Sequence, residues 1–381
     1  VDEGDPLNNL LFNKSIDEIR SLGIFKSVQS EIKDGSQTNL KIVDIKVEEK
    51  PTGEISLGAG VGTNGTTIGG GIKEKNFLGK GIDLSTDIDI SEEALKGKFV
   101  YSKPNFGYTD NTLFTSVNSS TSDYLSDFGY KISDIGFSVG TSFQQYENFF
   151  FSPELSLAIE DLETNSTAST NLKKQEGSYE DFYFNYGLNY DLRNSAYKPS
   201  SGYKTSFYQR LPMVSSNNEI TNTFVFTKHH KINKETNMIG KASIYLSSVN
   251  SIDDSDVRIS KRAKMPYNRL RGFEKDKIGP KDGTDYIGGN YVSALNISST
   301  LPYLLENAQN VDVLAFIDAA NVWGVDYDSS INDSNKIRSS YGVGVDWFTV
   351  IGPLSFSLSQ TITKASTDQT ESFRFQIGTS F

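Results

Sequence analysis

From Glu54 to Phe381, apolar residues recur at every second position. Leu354, Phe356 and Leu358 alternate with Ser355, Ser357 and Ser359. Phe182, Phe184, Tyr186, Leu188 and Tyr190 alternate with Tyr183, Asn185, Gly187 and Asn189, and Ile82, Leu84, Thr86, Ile88 and Ile90 with Gly81, Asp83, Ser85, Asp87 and Asp89. A period of two sends successive side chains to opposite faces of a strand. The region therefore reads as strands with one apolar and one polar face. About sixteen such segments, roughly one per twenty residues and separated by turn residues, match the pattern of an outer-membrane barrel. A soluble sandwich or solenoid shares the alternation. A steady meander over about 330 residues is too long for one sandwich, however. Three aspartates on one face of a single strand also suit a wet lumen better than a packed interior. The expectation is an all-β, sixteen-stranded antiparallel transmembrane β-barrel over residues 51–381.

Composition fits this reading. Hydrophobic residues make up 36% of the 381 residues, and mean hydropathy is −0.41. No stretch approaches the ~20 consecutive apolar residues of a membrane-spanning helix, whereas barrel strands need only be half apolar. The 24 Phe and 19 Tyr are the rings that anchor at membrane interfaces. With no cysteine, disulfide and thiolate chemistry are excluded. A net charge of −11 argues against nucleic acid as a partner. The opening Val1-Asp2-Glu3-Gly4-Asp5-Pro6 lacks the features of a signal peptide, so a mature protein or an excised fragment is expected.

Residues 1–50 follow a different rule. Phe12, Ile16 and Ile19 recur at helical spacing, Leu22 extends that face, and Gly23 supplies a stop. Ser15-Ile16-Asp17-Glu18 fits a capping box. Strand candidates follow at Phe25–Ile32 and Leu40–Val47. Helix, strand and strand predict a small α+β module cut at its start.

Several patterns look chemical. Gly60-Val61-Gly62-Thr63-Asn64-Gly65 matches G-x-G-x-x-G, but a dinucleotide site needs a helix next and Thr66–Glu74 reads as a strand. Gly136-Phe137-Ser138-Val139-Gly140 matches a nucleophile elbow, which requires a strand-to-helix turn, yet it lies within the alternating run Ile135–Phe143. His229 and His230 are adjacent and point to opposite faces. Asp326, Asp328 and Asp333 read as an acidic surface loop rather than a calcium site. No enzyme, cofactor or metal site is expected.

The segment from Arg258 to Lys281 stands apart. It carries nine basic residues (Arg258, Lys261, Arg262, Lys264, Arg269, Arg271, Lys275, Lys277, Lys281) against Glu274 and Asp276. A solvated loop or a lipopolysaccharide-facing patch is the bland reading. The sharper one is a loop around 251–287 folded into an acidic lumen, where attraction is screened less than at the surface.

Within this loop, Leu270-Arg271-Gly272-Phe273 resembles the [V/L]-R-G-F signature of the outer-membrane assembly and secretion superfamily. Ile278-Gly279-Pro280-Lys281 and Gly288-Gly289-Asn290 follow in the order seen in its BamA family. Phe316–Trp323, Gly352–Ser357 and Asp191-Leu192-Arg193-Asn194 with Pro199 and Gly202 resemble further family blocks. Ser15–Phe25 resembles the last periplasmic POTRA module. The resemblance implies a barrel of the bacterial outer membrane, with its POTRA part in the periplasm and earlier modules missing. It further implies a factor that folds and inserts client barrel proteins alongside accessory lipoproteins and outer-membrane lipids, including lipopolysaccharide. Arg271, with Gly272 and Phe273, matches a loop clamp whose wall carboxylate is Asp318. The second wall acid of many relatives falls at Asn296, so that half is lost or replaced. The expected lateral gate joins the first strand, with Ile55, Leu57, Gly58, Gly60 and Gly62, to the last, with Phe373, Phe375, Ile377, Gly378 and Phe381. Glycines weaken such a seam because they bring no side-chain packing. A secretion barrel is the alternative reading, and a passive porin a more distant one.

Overall fold

A computed structural model describes residues 4, 6–37, 40–126, 128–196, 198–233, 235–253, 255–305, 310–333, 335–349 and 352–378. Near the N-terminus, helix α1 (Asn9–Ser21) is capped by Asn8, whose side-chain oxygen accepts from the Leu10 and Leu11 N–H groups at 2.9 and 3.3 Å. These donors have no partner within the helix. Ser15 therefore stands inside the helix, and the capping-box match there is the coincidence that the longer pattern allows. Gly23 ends it with φ +70°. Phe12 and Ile16 are buried. An antiparallel hairpin, Phe25–Asp34 with Lys41–Glu49, follows.

Sixteen strands, β1 (Gly53–Gly62) to β16 (Phe373–Gly378), then close into one antiparallel barrel. Closure removes the sheet edges, whose unpaired backbone groups are not tolerated in lipid. Outward positions are apolar and bare, as with Ile55 and Leu57 at 78% and 87% exposure. Inward positions carry the polar groups. Gly65, at φ +94°, takes the chain from β1 directly into β2 (Gly65–Glu74), so the G-x-G-x-x-G match is a hairpin turn. Gly136–Gly140 lies within β6 (Tyr130–Tyr146). His229 is buried toward the lumen, whereas His230 is exposed.

The lumen is filled. The long connection between β11 (Met238–Ser251) and β12 (Tyr291–Thr300) folds back into it. Met265, Leu270, Phe273 and Ile278 of this loop pack on Val292 and Val322 of the wall. Ile259 and Ile287 join a second cluster with Tyr130, Leu162 and Leu172. Each fully buried large aliphatic or aromatic side chain contributes about 1.5–3 kcal/mol. This apolar packing keeps the loop in place even before its charges are considered.

Candidate functional site

The loop's cations meet acids projecting from the barrel wall. Arg258, 1% exposed, donates from Nη2 to Asp181 at 2.7 Å and lies 3.6 Å from Glu160. Lys261 Nζ reaches Glu160 at 2.6 Å, and Lys275 reaches Glu93 at 2.7 Å. Lys264 donates to the Tyr130 hydroxyl at 2.6 Å and lies 4.4 Å from the Phe128 ring centre. Arg262 pairs with Asp326 and Asn290. Asp326 also accepts from the Val257 N–H at 3.0 Å and from Asn290 at 3.1 Å. It is an anchor for the loop, not the surface acid expected from its neighbours. Burial pulls the Asp326 carboxyl upward, but the Arg262 guanidinium and these hydrogen bonds hold it below the usual range. Asp328 and Asp333 accept from nearby backbone N–H groups. No cluster of three potential metal ligands occurs among the described residues.

At the centre, Arg271 faces Asp318 on β13 (Val311–Trp323). Its Nε and Nη2 donate to the two carboxylate oxygens at 2.7 and 2.8 Å, and its backbone N–H adds a third bond at 3.1 Å. This forked geometry is specific to arginine. The guanidinium lies 3.4 Å from the centre of the Phe316 ring. Gly342 has no room for a side chain because that ring and the Leu358 backbone occupy the space. Asn296 pairs in register with Asp318 across β12 and β13. It donates to Asp318 Oδ1 at 2.8 Å and to the Arg269 carbonyl at 2.6 Å. Asn296 is thus a donor here, so the single carboxylate of Asp318 takes bonds from both sides. Gly272 adopts φ +90° against Ser340. Phe273 is 2% exposed.

Two further arginines belong to this assembly, though the sequence drew no attention to them. Arg374 on β16 donates to the Tyr267, Leu270 and Phe273 carbonyls at 2.6, 3.3 and 2.8 Å. It thus ties the last strand to the loop. Arg338 makes a fully buried fork with Asp368, both bonds 2.9 Å, and reaches Asn321 at 2.5 Å. Apart from Glu371 beside Arg374 and the Lys336 carbonyl beside Arg338, their partners lie on other segments. In the Asp191-Leu192-Arg193-Asn194 block, Arg193 forks onto Asp191 at 2.9 and 2.7 Å. Gly202, at φ +92°, sits against the Leu192 carbonyl there.

Among the described residues the β1–β16 seam is short. Gly60 pairs with Gly378, Val61 with Ile377 and Gly62 with Gln376, three register pairs among the described residues. The Thr63 N–H donates to the Phe375 carbonyl at 3.0 Å, and the Phe375 N–H to Thr63 Oγ1 at 2.9 Å. Ile55, Leu57 and Gly58 pair with β2. Phe373 and Phe375 stack with ring centres 6.0 Å apart and pair with β15 (Gly352–Thr363). Gly378 turns the strand at φ +87°, where a side chain would strike the Ala59 carbonyl. Phe381 lies outside the described residues.

Comparison with known proteins places this arrangement. The chain is 22% identical over its whole length to the outer membrane protein assembly factor BamA of Neisseria meningitidis, covering 53% of that protein. It is 21% identical over 95% of its length to the BamA of Neorickettsia risticii, covering 50%. The chain thus spans about half the length of these curated relatives. A crystal structure of Haemophilus ducreyi BamA lacking POTRA domains 1–3 shares its fold, with a TM-score of 0.88 and 24% identity over all of this chain and 80% of that one. CdiB from Acinetobacter baumannii is more distant, with a TM-score of 0.53 and 11% identity over 95% of this chain and 67% of that one. The Omp85 superfamily domain matches residues 76–381, and with this barrel and its inward loop the chain is a BamA-like member of the Omp85 superfamily, resident in the outer membrane.

Proposed function

We propose that this protein folds and inserts client β-barrel proteins into the outer membrane through a lateral gate between β1 and β16. The observation that carries this reading is the glycine-bearing seam of three register pairs among the described residues, against fourteen between β6 and β7. A seam that parts exposes a template edge, to which an incoming strand adds by backbone hydrogen bonding. The work is strand exchange, with no covalent step. Arg271, Asp318 and Asn296 serve as the clamp that seats the loop while the seam moves. Residues 1–50 form the C-terminal part of a POTRA module on the periplasmic side. Unfolded outer-membrane proteins are the clients, and accessory lipoproteins and outer-membrane lipids the partners.

The test is a reversible lock. Val61 and Ile377 are register partners, and the chain has no competing thiol. In the full-length protein, Val61→Cys with Ile377→Cys should crosslink and reduce client insertion at least tenfold, with recovery on reduction. A cysteine pair between β6 and β7 (Phe149–Thr164) should have little effect. Client assembly at the unlocked rate would overturn the gate. A barrel that exports a partner through its lumen is the second reading, favoured by the fold likeness to CdiB. It requires the loop to leave the lumen, so a disulfide holding the loop to β13 would stop export while leaving seam-driven insertion intact.

A further inference from the structure

Below the loop, on the side of the barrel where Gly53 enters, lies a lumenal cavity of about 610 Å³. Its floor reaches Lys198 and Pro199 in one turn, and Thr300 and Asp312 beside another. Lys241 and His229 line it from adjacent strands, directly opposite each other in register. Ser243, two residues from Lys241 and so on the same face, accepts from Arg269 Nη1 at 2.7 Å. Ser298 faces Lys241 from the other neighbouring strand. Two cations, an imidazole and hydroxyl donors thus converge on one concave space.

These cations differ from the others nearby. Lys198 pairs with Asp312 at 2.6 Å, Arg271 with Asp318, and Arg374 with Glu371. Arg269 meets a neutral hydroxyl and the Tyr245 ring. Among the described residues the Lys241 side chain forms neither a hydrogen bond nor an ion pair. His229 is 8% exposed, and its Nδ1 has no partner. The remaining acid in the cavity, Asp346, accepts from Ser355 at 2.7 Å. Two unmatched cations therefore stand against one carboxylate, inside a chain of net charge −11.

We infer that this chamber is an anion-binding site, taking a carboxylate or phosphate group that enters the lumen from the end bearing the N-terminal hairpin. Lys241 supplies a point charge, Arg269 a planar fork and His229 a further donor, the complement such oxyanions require. The cavity borders β16 through Arg374, Phe375 and Gln376, but the cations proposed to bind the anion stand on β11 and in the loop, so the inference does not rest on the gate.

Calorimetric titration of the detergent-solubilised protein at low ionic strength tests it, because salt screens such sites. The probes are inorganic pyrophosphate, an acetylated triglutamate amide and its neutral triglutamine counterpart. Both anions should bind and the neutral peptide should not, and the tighter anion identifies whether phosphate or carboxylate is the natural chemistry. Lys241→Gln should weaken binding about tenfold, equivalent to about 1.4 kcal/mol. Adding Arg269→Gln should weaken it further, while Asp346→Asn, which removes the competing carboxylate, should tighten it several-fold. The Asp346→Asn arm leaves both cations and the loop untouched, so it stands even if a charge-removing variant folds poorly. Absence of binding by both anions, or equal affinity in wild type, Lys241→Gln and Asp346→Asn, would overturn the inference.

Discussion

The wall between β6 and β7 and the seam between β1 and β16 are built from the same backbone chemistry, yet they hold very differently. The wall has fourteen register pairs, running from Tyr130 opposite Thr164 to Tyr146 opposite Phe149. The seam has three among the described residues, two of which involve glycine on at least one side. A net gain of about 0.5–1.5 kcal/mol per hydrogen bond, repeated along the wall, makes separation there prohibitive. At the seam the corresponding sum is only a few such bonds. What the seam lacks in pairing is partly supplied from inside, because Arg374 fastens β16 to the loop. Among the described residues, this sector is therefore tied to the lumenal filling as well as to the sheet.

The sharpest way to break that contrast is to remove the filling. Arg258→Ala strands Asp181 without its main cation in a buried site and leaves Glu160 to Lys261 alone. It should cost about 3–5 kcal/mol, seen as unfolding at markedly lower urea concentration and loss of the heat-dependent gel shift. Full stability in this variant would mean the loop is not what supports the upper barrel.

Arg271→Ala comes next. It leaves Asp318 with only the Asn296 amide and the backbone N–H of position 271 as donors, and the loop should become sensitive to limited proteolysis while the strands remain protected. Arg271→Lys should rescue only partly, because an ammonium cannot form the fork. Arg374→Met sharpens the comparison directly. The crosslinking rate of a Val61/Ile377 cysteine pair should change in this background, whereas a pair across β6 and β7 should react as before. Equal rates at the seam with and without Arg374 would separate the loop from the gate.

Smaller effects follow at single groups. Asn296→Asp places a carboxylate opposite Asp318, and like charges directly facing each other in a sheet are unfavourable by roughly 0.2–1 kcal/mol. A slight fall in the urea midpoint at neutral pH is expected. The smallest effect concerns Asp326, whose carboxyl is held below its usual range. Such a group contributes stability above its unfolded value, near 3.9, and loses it as pH falls through its folded value. Proteolytic protection of the loop near Val257 should decline below about pH 4 in wild type and show a flatter profile in Asp326→Asn.

Much of this architecture was legible because a barrel writes its geometry into every strand. Alternation at Leu354–Ser359 or Phe182–Tyr190 requires only neighbouring residues to report. The excess of cations from Arg258 to Lys281 also marks a segment that needs acids, and the acids are where the strands present them. The box at Ser15–Glu18 is a coincidental match within the longer helical pattern, because helix starts share their residue types with helix interiors. Asp326 misled because its acidic neighbours in sequence do not share its contacts.

The sequence by itself determined a barrel of about sixteen strands, the two faces of the sheet and a basic segment in need of acids, since periodicity and local charge are properties of adjacent residues. Only the tertiary structure decided which acid meets which cation, that Asn296 gives rather than receives, that Arg374 reaches the loop, and that the first and last strands share so short a seam. Those outcomes depend on residues far apart in the chain, Arg374 and Tyr267 or Gly60 and Gly378, brought together only when sixteen strands close with one particular stagger.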